Sequence, residues 1–137
     1  MTRSPRLARS LLVALALTAH LAWAHHSFAM FDFDKVVTLT GTVKEFQWTN
    51  PHVVLWVNAE AKDPKKPDVW YLEMTSPGNL TRGGWTRKAC NAGDRVTVEL
   101  NPLRNGDLGG ALIKVVNHTT GRTYSTNLRD MEKPNLK

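Results

Sequence analysis

Cysteine is almost missing from this chain of 137 residues, where Cys90 stands alone. A lone thiol closes no internal disulfide, so the stability of the folded domain has to come from its core. Long apolar runs are missing too: nothing after the N-terminal region approaches the ~20 consecutive apolar residues that span a bilayer. Charge of one sign forms no block, because Lys and Arg are scattered among Asp and Glu, which argues against a nucleic-acid footprint or an acidic tail. There is no glycine-flanked nucleophile serine, no carboxylate pair at useful spacing and no glycine loop leading into a helix to cradle phosphate. Structural zinc lacks both its cysteine pair and its spacing. Repeats and low-complexity tracts are also missing.

What is present begins at the N-terminus. Arg3, Arg6 and Arg9 precede an apolar run from Leu11 to Leu17, and small residues stand at Ala22 and Ala24. That order is the pattern of a secretory signal peptide over 1–24, cleaved after Ala24, with an apolar run too short to span. The mature protein is then expected to be periplasmic or secreted, with no transmembrane segment and no cysteine near its start to carry a lipid. The 113 residues that remain after the first 24 suffice for one compact domain. Loss of the three leader arginines lowers 18 basic side chains to 15 against 12 acidic ones, so the net charge falls from +6 to +3.

From Lys35 the pattern is one of short strands. Val37, Leu39, Gly41 and Val43 alternate with Thr38, Thr40 and Thr42, then the apolar phase slips to Phe46 and Trp48. A strand that changes its buried face without stopping needs a bulge, and the interior Gly41 fits close backbone approach in a strongly bent strand. Thr49-Asn50-Pro51 signals a turn. His52 to Val57 is apolar on both phases and reads as a more central strand. Ala61 to Asp68 is a polar loop, and Val69 to Thr75 sets Trp70, Leu72 and Met74 against Tyr71 and Glu73.

Ser76-Pro77 caps and starts a short helix over Gly78 to Arg82, which Gly83-Gly84 stops. Trp85 to Ala89 is expected to add a second short turn. Arg95 to Leu100 and Ala111 to Val116 are further strands, joined by a glycine-rich hairpin connection from Asn101 to Gly110, and Tyr124 marks a short sixth strand. Three strands, a helix and two strands is the order of the OB-fold, a Greek-key barrel. The expected layout is an N-terminal segment over 25–34, an OB-like β-barrel over 35–126 and a polar tail over 127–137.

Several segments resemble an uncharacterised family of small exported bacterial proteins, carried as a domain of unknown function. They are His25-His26-Ser27-Phe28 with Phe31-Asp32, Thr40-Gly41-Thr42-Val43 through Trp48-Thr49-Asn50-Pro51-His52, and Ser76-Pro77 through Arg82-Gly83-Gly84-Trp85. Gly93-Asp94 and Asn101-Pro102-Leu103-Arg104 with Gly109-Gly110 complete the match, which covers nearly the whole mature chain. The resemblance implies membership and carries no activity. Cys90 stands where its pattern has an aliphatic residue, in keeping with a buried thiol.

Cleavage after Ala24 gives the sharpest chemical expectation. His25 then offers an amine and a ring nitrogen, and His26 or His52 can complete a three-nitrogen set suited to Cu(II), resembling the histidine brace of exported copper proteins. A second mode uses the amine, the peptide nitrogen between His25 and His26 and the His26 ring, and needs no fold. Against these stand a frayed terminus that chelates by accident and a His52 that is an ordinary surface or hydrogen-bonded residue. Glu73 and Met30 are further conceivable donors whose structural or solvated role is the preferred one.

A second constellation is aromatic. Trp48, Trp56, Trp70 and Trp85 with Phe46 and Tyr71, and Arg82, Arg87 and Arg104 to add polar recognition, suit a small-molecule ligand or a periplasmic or membrane-associated protein partner through Trp48, Trp56 and Arg82. The plainer expectation is that Trp70 and one of Trp48 and Trp56 fill the barrel while Trp85 anchors the helix. Export disfavours nucleic acid. Binding is expected over turnover, with copper the expected ion, an aromatic-face module the alternative and a brace-type oxidative enzyme a third class.

Overall fold

The computed structural model describes residues 28–60 and 68–126. The expected leader, His25, His26, residues 61–67 of the polar loop and the tail from 127 onward lie outside the described residues. Two compact units divide the chain at Met30. The first contributes a single 3-10 turn, Phe28–Met30, to what is described, and the barrel belongs entirely to the second.

That barrel has strands β1 (Val37–Gln47), β2 (Val54–Ala59), β3 (Val69–Glu73), β4 (Arg95–Pro102), β5 (Gly109–Asn117) and β6 (Arg122–Ser125), with helix α1 (Pro77–Arg82) between β3 and β4. The strand order is β3-β2-β1-β4-β5-β6, and a parallel pairing of β3 with β5 closes five strands into an OB-like barrel that β6 extends. The expected fold class is the observed one. No helix among the described residues is long and apolar enough to cross a membrane.

The first strand makes closure possible. Its N-terminal half pairs with β4 and its C-terminal half with β2, the two ladders overlapping at Gly41 and Thr42. A side chain at Gly41 would run into the Asn58 carbonyl and lie 2.9 Å from the Ala59 Cα, so the crossing of three backbones at this point requires glycine. Just beyond, the register with β2 shifts between Val43 and Glu45. This bulge lets Val43 and then Phe46 and Trp48 all pack toward one interior, the phase slip expected from the sequence.

Leu55, Val57, Leu72, Val96, Val98 and Val115 are fully buried within the core, and Leu80 of α1 with Trp85 seals one end. Ser76 caps α1 by accepting a hydrogen bond from the Asn79 N–H at 3.4 Å, and the chain leaves through Gly84 at φ +86°. Trp85 to Ala89 forms no helix. It holds a short turn, with the Ala89 N–H donating to the Thr86 carbonyl at 3.0 Å and the Lys88 N–H to the Thr86 hydroxyl at 3.2 Å, while Trp85 is buried in the core and its indole N–H donates to the Ser125 carbonyl at 2.9 Å.

The Asn101 to Gly110 connection is shorter than its composition suggests, since Asn101 and Pro102 extend β4 while Gly109 and Gly110 begin β5. Those two glycines serve close packing: a Cβ on Gly109 would meet the Tyr71 carbonyl at 3.0 Å, and one on Gly110 would run into the Asn101 carbonyl. Only Gly106, at φ +84°, answers to the turn itself.

Candidate functional site

The alternation that sends Leu55, Val57 and Leu72 inward turns Val54, Trp56, Tyr71 and Glu73 to the outer face of β2 and β3. Register then sets them in rows. Trp56 lies opposite Tyr71, which lies opposite Gly109; Val54 lies opposite Glu73, which lies opposite Ala111 and, across β5, Asn101. Every member of the second row is buried although it faces away from the core.

At the head of this face, His52 Nδ1 lies 2.5 Å from Glu73 Oε1. The Tyr71 hydroxyl donates to the other carboxylate oxygen, Oε2, at 3.1 Å. Burial first, then the charge of Glu73 and the hydrogen bond to it, push the Tyr71 phenol up to about 12, so it remains a donor throughout the physiological range. The Tyr71 ring meets Trp56 edge-on, with centroids 5.1 Å apart. Among the described residues the Trp56 indole N–H is buried without a hydrogen-bond partner. The His52 side chain stays 36% exposed while that of Glu73 is only 10% exposed, so a buried acid holds a reachable imidazole.

A strap from Phe31 to Val36 runs onto the same side of the barrel. Phe31 is fully buried outside the core cluster and pairs with Leu103, whose N–H bonds the Gly109 carbonyl at 2.9 Å. The Asp32 N–H donates to the Pro102 carbonyl at 2.8 Å, and Asn101 Nδ2 donates to the Lys35 carbonyl at 2.7 Å. The Asp32 carboxyl, hydrogen-bonded by Lys35 and facing Arg104, is held below the usual carboxylate range. Phe31, Leu103, Gly109, Tyr71 and Trp56 thus form one continuous row across the outer surface.

The residues singled out in the sequence do not gather in one place. His25 and His26 lie outside the described residues. His52 and Trp56 lie on the outer face just described. Trp48 packs on Phe46, with centroids 5.7 Å apart, and against the core, whereas Arg82 is an exposed residue of α1 bonded to Asn79. Trp48 and Trp56 therefore lie on opposite sides of the barrel wall. Met30 is 42% exposed, His118 is exposed with its Nε2 2.8 Å from the Thr97 hydroxyl, and Cys90 is buried.

Tyr71 and Glu73 are the members of the site that sequence reasoning left unassembled. Period-two alternation puts them on one face, but their meeting with His52 depends on the β2–β3 register. Among the described residues no three histidine, cysteine or carboxylate side chains converge as a metal cluster.

No curated protein and no solved structure matches this chain. A family model does match, over residues 12–113, which is well over half of the sequence. With the barrel and its outer-face row in place across that span, the chain belongs to a family of unknown function, DUF6152.

Proposed function

We propose that this is an exported binding protein that holds a copper ion through the processed N-terminus, with His25 and His26 as donors and His52 as the donor on the barrel. The observation that supports this reading is His52, a part-exposed imidazole held from behind by the buried Glu73 carboxylate on the outer face of the barrel. Nitrogen-rich ligation by a terminal amine and imidazoles suits Cu(II) by geometry and by affinity.

Native mass spectrometry with copper titration tests this on three proteins. The chain beginning at His25 takes one Cu(II), the same chain with an extra residue before His25 loses the amine-dependent site, and His52→Ala weakens binding by more than roughly tenfold. Equal affinity in all three overturns the proposal.

The aromatic pair favours a second reading, in which Trp56 and Tyr71 receive a small molecule or a protein partner without metal. Its support is the unpartnered indole N–H of Trp56, a buried donor that a ligand acceptor would satisfy.

A further inference from the structure

We infer that Glu73 and Tyr71 are positioning residues that keep the proton of the His52 ring on Nδ1 and so make Nε2 the atom that donates to a metal. This rests on the proposal that His52 is a ligand, and names how the barrel prepares it. A neutral imidazole carries one proton and one lone pair, and its two nitrogens are told apart by the partner each one meets. Nδ1 faces Glu73 Oε1 at 2.5 Å, and an unprotonated Nδ1 would bring its lone pair against those of the carboxylate. The ring therefore donates from Nδ1 and turns the Nε2 lone pair outward. Metal-bound histidines use this arrangement widely, since a carboxylate behind the ring fixes its orientation and raises its basicity.

Tyr71 gives the relay its second link. A glutamate side chain has rotamers to spare, and one hydrogen bond from His52 leaves it free to pivot about that bond. The Tyr71 hydroxyl, 3.1 Å from Oε2, ties down the other oxygen. Tyr71 is itself fixed by its edge contact with Trp56 and by the close approach of Gly109, where a side chain would meet the Tyr71 carbonyl and Cβ. The chain Trp56, Tyr71, Glu73, His52 thus passes the rigidity of the β2–β3–β5 sheet out to an imidazole that stands outside the strands, two residues before β2.

Two-bond 15N–1H correlation of the imidazoles in the metal-free protein beginning at His25 tests this, together with copper titration of the same samples. The expected result is a His52 ring protonated at Nδ1 in the parent protein. In Glu73→Gln, whose amide can donate as well as accept, the ring becomes a mixture of tautomers and copper binding weakens roughly 10- to 100-fold. Tyr71→Phe, a change on the outer face that spares the core, keeps the tautomer and weakens binding by a smaller factor. A His52 ring protonated at Nε2 in the parent, or copper affinity unchanged in both variants, overturns the positioning role. Copper affinity unchanged in His52→Ala overturns the ligand role instead, so the two failures are distinguishable.

Discussion

Cys90 shows how one side chain is governed by its surroundings. Burial first, and the nearby charge of Asp94 second, push its thiol up to about 12 from an ordinary 9.0. The native protein should therefore resist thiol reagents at pH 8 and react only once unfolded, which a timed alkylation with and without urea will show. The same shift has a stability consequence whose sign follows from linkage. A thiol that ionises more readily in the unfolded chain contributes stability that is complete below pH 9 and is lost as the pH rises toward 12. Tyr71 behaves alike, with an ordinary value of 10.0 raised to about 12. Urea midpoints measured from pH 8 to pH 11 should fall steadily above pH 9, and a flat profile would contradict the burial of both groups.

Strands and turns show a different division of labour. Gly41 belongs to β1 by position, yet its worth lies in letting β2 cross at close range. Gly41→Ala should cost about 1–3 kcal/mol, the price of overpacking against backbone that cannot yield, read as a lowered urea midpoint with an unchanged slope. The conformation of the helix was readable in advance because Ser76, Pro77 and Gly83-Gly84 act within a few residues of one another. The neighbouring short turn within Trp85 to Ala89 was readable in the same way, and what the core adds is the burial of its one large indole. Gly109 and Gly110 look like turn residues in a sequence and prove to be contact residues, because backbone proximity across β3, β4 and β5 leaves no trace in local composition.

Across the whole molecule the wall of the barrel sorts the tryptophans into two groups. Trp85 stacks between Phe46 at 6.3 Å and Tyr124 at 4.9 Å, is 1% exposed and bonds the Ser125 carbonyl, so it ties α1, β1 and β6 to one core. Trp56 sits outside, against Tyr71. Trp85→Ala should lower the unfolding free energy by about 3–5 kcal/mol, whereas Trp56→Ala should cost less than half as much and act on binding, a contrast that denaturant curves of the two variants will decide. In a small domain without a disulfide, such an anchor carries a large share of the total stability.

Hydrophobic alternation, the slipped phase of β1 and the capping residues of α1 already specified an OB-like barrel, because each acts over a few residues and needs no partner to be recognised. The same alternation placed Tyr71 and Glu73 together on the polar side of β3. Their union with His52 and Trp56 is a property of the β2–β3 register, which is set across an intervening loop by the fit of two strands into a common core. The seating of Phe31 on Leu103 likewise joins segments far apart in the chain. Alternation along a strand foretells which residues turn outward; only packing decides which of them become neighbours.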